Sequence, residues 1–183
     1  MIRTIAPPAN EPVSVEELKA QCRIEHDEEN KLLKRYIVAA RTYAESVMNY
    51  KVIRQKLTVC RNTFSDPVKL SIAPVQSVDR IGYYDPDNVF TVLEVGNYRT
   101  AISDAYTVIT PVTSWPAISA TMYDAVQFDL TVGPAQADEL HKQAILMLAA
   151  GWYKSREDIS ALDFKNVPNG AMALLNTTNN QVF

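Results

Sequence analysis

Residues 138–154, DELHKQAILMLAAGWYK, leave this chain the least freedom. From Ala144 to Tyr153 no side chain is charged, and Leu140, Ala144, Leu148 and Trp152 recur at intervals of four, with Ile145 and Ala149 widening the stripe. Side chains at that spacing share one face of a helix. A membrane span needs roughly 20 consecutive apolar residues, so the shorter run here predicts a core or interface helix of a soluble protein, with no membrane partner. A helix apolar on nearly all sides has to be covered on nearly all sides. The cover must come from other segments of the chain or from partners.

The N-terminal third supplies two helices. Residues 1–12 hold Pro7, Pro8 and Pro12, which fix φ and remove backbone donors, so an extended arm is expected there rather than an element. Ser14 followed three residues later by Glu17 is the pattern of a capping box, and it predicts a short helix over 15–23 with Leu18 and Cys22 on one face. His26, Asp27, Glu28 and Glu29 read as a helix start rather than a metal or acid/base cluster. Asp27 stands where an N-cap is wanted, and acids in the first turn favour the helix dipole. The helix they open is expected over 28–49, with an apolar stripe from Leu32 and Leu33 through Tyr36, Ile37, Ala40 and Ala44 to Met48. Lys31, Lys34, Arg35, Arg41 and Glu45 fall mostly off that stripe, as a solvated face or one that meets an acidic partner subunit.

Near Val52 the period shortens and β-branched residues become common, the mark of strands with one wet face. Beyond that first strand, strands are expected at 68–72, 78–84, 89–95, 106–110, 117–122 and 126–131. Asp85, Pro86, Asp87 and Asn88 form a polar hairpin loop; the Gly and distant Glu of a calcium-binding EF-hand loop are missing. After Lys154 come a polar loop and a short helical candidate over 171–175, then a tail free of charge from Asn166 onward. The fold expected is α+β: a helical platform of N- and C-terminal helices (1–51 and 134–176) with an inserted antiparallel β subdomain (52–133) and a C-terminal arm (177–183).

Catalytic patterns are lacking. The five glycines, at 82, 96, 133, 151 and 170, are too scattered for a phosphate-cradling loop, and there is no GxSxG or HExxH. No cofactor and no metal site is expected. Cys22 and Cys60, without CxxC or Cys/His spacing, read as buried free thiols. His141, beside Glu139 and Lys142 in a helix first turn, reads as a surface or subunit-contact histidine; its use by a small hydrolase or lyase is the rival enzyme reading. A monomeric peptide-binding module with an open edge strand is the rival binding reading. A net charge of −3 offers no global grip on a nucleic-acid backbone, and no basic patch is interleaved with Trp115, Trp152 or the tyrosines, which read as packing residues. MIRTIAPPANEP has no apolar signal region, so synthesis in the cytoplasm is expected.

Order and spacing carry one further signal. PPANEPVSVEELKAQCRIEHDEENKLLKRYIVAARTYAE, VIRQKLTV, and QAILMLAAGWYKSRE followed by VPNGAMALL together resemble the head-tail connector, or adaptor, proteins of tailed bacteriophages and prophages. The resemblance covers 7–60 and 134–176, and the β middle matches in layout rather than in motif. It implies a non-enzymatic virion protein: a ring, usually of twelve copies, between the portal protein and the tail or its completion (stopper or terminator) protein. Double-stranded DNA would pass through the lumen without being read. A ring interface joins two different faces; the faces expected are the long helix at Tyr36, Ala40 and Tyr43 and the neighbour's β subdomain. Portal contact is expected from the C-terminal segment, at Ala171, Leu174, Leu175, Val182 and Phe183.

Overall fold

The computed structural model describes residues 1–155 and 169–177. The fold is α+β, in two compact units: one takes in Met1–Ala9 and Arg54–Pro134, the other Asn10–Ile53 and the described part of Ala135–Gln181.

In the helical unit, α1 (Val15–Cys22) opens with the expected capping box: the Glu17 amide donates to Ser14 Oγ at 3.1 Å and the Ser14 amide to the Glu17 carboxylate at 2.6 Å. It stops because Arg23 turns left-handed (φ 58°), which lets the Ile24 amide reach back to the Lys19 carbonyl at 2.9 Å. The second helix, α2 (Asn30–Met48), begins later than expected, and its N-cap is Glu29, without a side-chain cap. Asp27 has other work. Its carboxylate accepts from Lys19 Nζ at 2.6 Å and Asn30 Nδ2 at 3.1 Å, and those two donors hold its carboxyl below the usual range. That pair ties α1 to the start of α2.

Helix α3 (Glu139–Lys154) contains the uncharged run from Ala144 to Tyr153 and is capped by Asp138, which accepts from the Leu140 amide at 2.8 Å. Leu33, Ile37, Ala40, Ala44 and Met48 of α2 meet Ala144, Ile145, Leu148 and Ala149 of α3, joined by Leu18 of α1 and by Ala171 and Leu175 of α4 (Asn169–Asn176). Each buried leucine or isoleucine there contributes about 1.5–3 kcal/mol. Trp152 and Tyr153 close the helix pair, set edge-on against Tyr43 at 5.9 Å and Tyr36 at 6.5 Å.

The β unit holds a five-stranded antiparallel sheet in the order β1-β2-β8-β4-β5, from β1 (Ile2–Ala6), β2 (Gln55–Arg61), β4 (Val75–Tyr84), β5 (Phe90–Val92) and β8 (Val126–Val132). A three-stranded sheet adds β3 (Val68–Leu70), β6 (Tyr98–Ile102) and β7 (Thr107–Pro111), with β7 central. Strand β8 is the axis of the larger sheet. Val126, Phe128, Leu130 and Val132 turn inward, and Leu57, Val59 and Ile81 of the neighbouring strands and Val68, Leu70 and Ile109 of the smaller sheet complete the core. Asp129, on the other face of β8, accepts from Thr58 Oγ1 at 2.7 Å and from Arg80 Nε at 2.7 Å, a polar ladder across three strands.

Three expectations for this half are corrected. The N-terminal arm is strand β1, paired antiparallel with β2 from Ile2↔Val59, while Pro7 and Pro8 lie just beyond its end. Strand β6 was not expected at all. Residues 117–122 form a loop, not a strand, because Ser119 is a hub: its Oγ donates to Asn88 Oδ1 at 2.5 Å and accepts from the amides of Thr121 and Met122. Gly82 is required by close approach, since a Cβ there would stand 2.3 Å from Phe90 Cζ across the β4–β5 pair.

Candidate functional site

Buried Arg41 and Glu45 are the centre of an ionic network in the helical unit. Arg41 donates from Nε to Glu11 at 2.6 Å, from Nη2 to Glu11 at 3.3 Å and from Nη1 to Glu45 at 3.2 Å. Glu45 accepts also from Lys51 Nζ at 3.0 Å and from the Val52 amide at 3.2 Å. Helical spacing sets Arg41 and Glu45 side by side on α2. Every charge has a partner of opposite sign, so the network fastens the segments at Glu11 and at Lys51–Val52 to the middle of α2. It is built for holding, not for proton transfer.

His141 is not at the surface. It is 4% exposed, packed at 5.6 Å against the Tyr50 ring, and neither imidazole nitrogen has a hydrogen-bond partner among the described residues. Burial lowers its pKa against a smaller opposing pull from Asp138. A general acid or base must come within hydrogen-bond reach of the proton it moves, and a buried imidazole without a hydrogen-bond partner among the described residues is poorly placed for that. A surface hollow of about 440 Å³ in the β unit is lined by residues including Asn62, Thr63, Ser119, Thr121 and Tyr123, with no carboxylate, imidazole, thiol or amine among them. Among the described residues no group of His, Cys, Asp and Glu is placed to hold a metal ion, and no helix is long and apolar enough to cross a membrane.

What the chain offers instead is surface. On α2, Lys31, Lys34 and Arg35 are exposed. On the β unit, Val92 of the edge strand β5 is 51% exposed, and Val89 and Val95, just before and after that strand, are 58% and 78% exposed. The residues expected at a subunit interface lie on the other side of α2: Ala40 is fully buried inside its own unit and has no surface for a neighbour, while Tyr36 and Tyr43 keep half-exposed edges beside their ring partners on α3. Of the residues expected to meet a portal, Ala171 and Leu175 are fully buried in the helical core, Leu174 is half-buried, and Val182 and Phe183 lie outside the described residues. The exposed valines carried no recognisable motif; only their lack of cover marks them.

Solved structures of particle necks share this fold over nearly its whole length. The neck of an empty gene transfer agent (GTA) particle, computed with C6 symmetry, contains a chain of TM-score 0.81 and 24% identity, covering 98% of this chain and 95% of that one. A chain in the virion of the native GTA particle matches at TM-score 0.80 and 24% identity with the same coverage. One in the native neck computed with C12 symmetry matches at 0.75 and 22%, covering 98% and 94%. No curated protein matches the chain. The fold is therefore one that chains of these particle necks also have. In sequence, residues 12–82, from the approach to α1 through α2 into β4, match the family of phage gp6-like head-tail connector proteins.

Proposed function

We propose that the chain is a ring-forming head-tail connector, twelve copies seated between the portal protein and the tail or its completion protein, with double-stranded DNA passing through the lumen unread. The observation that carries this reading is the fold, shared over 98% of the chain with neck chains of particles computed with sixfold and twelvefold symmetry. The net charge of −3 suits a lumen past which DNA slides without being gripped. The exposed edges of Tyr36 and Tyr43 remain candidates for copy-to-copy contact. Leu174, with Val182 and Phe183, is the candidate for portal contact; Ala171 and Leu175, buried in the helical core, hold α4 in place.

The test is to mix the purified chain with portal particles and with tail-completion particles, and to image the products. Rings of uniform copy number on the portal are expected. A chain that stays monomeric at high concentration and binds neither particle would overturn the reading.

A further inference from the structure

Resting on the ring reading above, we propose that consecutive copies meet through the outward basic face of α2 on one copy and the acidic valine rim around β5 on the next. From residue 85 to 97 the chain holds three carboxylates, Asp85, Asp87 and Glu94, and no Lys or Arg. Asp85 is occupied in its own loop, accepting from the Asp87 and Val89 amides at 3.0 and 2.9 Å. Asp87 and Glu94 are exposed and take part in no ion pair among the described residues, and they flank the three exposed valines. Arg80 lies over the Phe90 ring of β5 at 5.4 Å, but its charge is taken up by Asp129 at 2.6 Å, so the unpaired charges beside this uncovered apolar edge are acidic, the profile of a binding surface.

The complementary face is on α2. Lys31, Lys34 and Arg35 occupy a single turn, exposed and without a carboxylate partner among the described residues, whereas Lys19, Arg41, Lys51 and Lys142 of the same unit each hold one. Exposed Ala39 and half-exposed Val38 follow one turn on, a small apolar seat for valines. Two copies pairing like with like would set lysine against lysine, or aspartate against glutamate. Opposite signs instead favour the head-to-tail contact a closed ring needs, and charge complementarity fixes its register. The occupant of the rim is therefore a second copy of this chain.

A charge swap tests it. Lys31→Glu/Lys34→Glu/Arg35→Glu makes both faces acidic, and Asp87→Lys/Glu94→Lys makes both basic; all five side chains are exposed, so circular dichroism should show both proteins folded. Each variant alone should assemble at least roughly tenfold more weakly than wild type on portal particles, by mass photometry and imaging. An equimolar mixture should recover rings of alternating copies, and so should a single chain carrying all five substitutions. If wild type forms rings and the triple variant forms them equally well, or the mixture fails to recover, the proposed contact is wrong while the ring reading stands. A triple variant that still forms rings but detaches from the portal or from DNA assigns the basic face to that partner and overturns the contact. If wild type itself makes no ring, both fall.

Discussion

Replacing Arg41 by alanine should cost the helical unit more than any other single charge deletion. The guanidinium is 8% exposed and the Glu45 side chain 1% exposed, so the carboxylate left behind cannot be rescued by bulk water. Breaking a buried ion pair by removing one partner costs about 3–5 kcal/mol, mostly as stranded charge. Lys51 still reaches Glu45 at 3.0 Å in the variant, so the lower end, about 3 kcal/mol, applies. Lys51 itself is 28% exposed; a half-solvated pair of that kind contributes about 0–1 kcal/mol, so Lys51→Ala is the control. Each unit has one tryptophan. In a Trp115→Phe background, Trp152 on α3 reports the helical unit alone, and 3 kcal/mol should lower its urea midpoint by about 1–3 M. Removing both charges, in Arg41→Met/Glu45→Leu, should recover part of the loss but not all, since the Val52 amide then lacks its acceptor. A midpoint for Arg41→Ala no lower than that of Lys51→Ala would refute the reasoning.

Three more outcomes are expected. Because burial depresses the His141 pKa in the folded chain, the unfolded chain takes up the proton first; stability of the helical unit should be full above about pH 6.5, fall as pH drops below it, and level off beneath the folded pKa. His141→Phe should abolish that slope and stabilise the unit at pH 7 by about 1 kcal/mol, as two unpaired buried nitrogens are removed; stability curves against pH with and without the substitution check both. Gly82→Ala should destabilise the β unit by about 1 kcal/mol or more by displacing the Phe90 ring, and Phe90→Ala in the same chain should relieve it, as read from Trp115 fluorescence in urea. Both thiols are pushed up by burial, but Cys60 is 2% exposed and Cys22 half-exposed, so iodoacetamide at pH 8 should label Cys22 roughly tenfold faster by mass spectrometry.

Helices were the legible part of this chain because their signals are local. The Ser14–Glu17 capping box and the stripe from Leu33 to Met48 need only a few neighbouring residues to be read, and the structure places α1, α2 and α3 within two residues of expectation. Where the reading failed, the deciding partner was distant in sequence. Strand β1 is held by β2, more than fifty residues on, and most of its side chains are exposed, so it shows no alternation to find. Strand β6 is exposed along most of its length for the same reason. Residues 117–122 look strand-like, but Asn88 captures Ser119 and Thr121 and makes a loop of them. His141 reads as a surface residue by its charged neighbours; only the chain's return brings Tyr50 over it. The basic turn on α2 was visible in sequence as a solvated stripe, whereas the valine rim emerged only when β5 proved to be an edge.

The central position of β8 also has a consequence on the ribosome. Both β2 and β4 pair with β8, the last strand made among the described residues. At about 5–20 residues per second, the roughly 65 residues separating Arg61 from its partner Val126 take about 3–13 s to emerge. During that interval the nascent chain carries strand edges with no mate. The helical unit waits longer still for α3. The β unit cannot close before β8 has emerged, nor the helical unit before α3, so a message cut short before β8 yields neither unit folded.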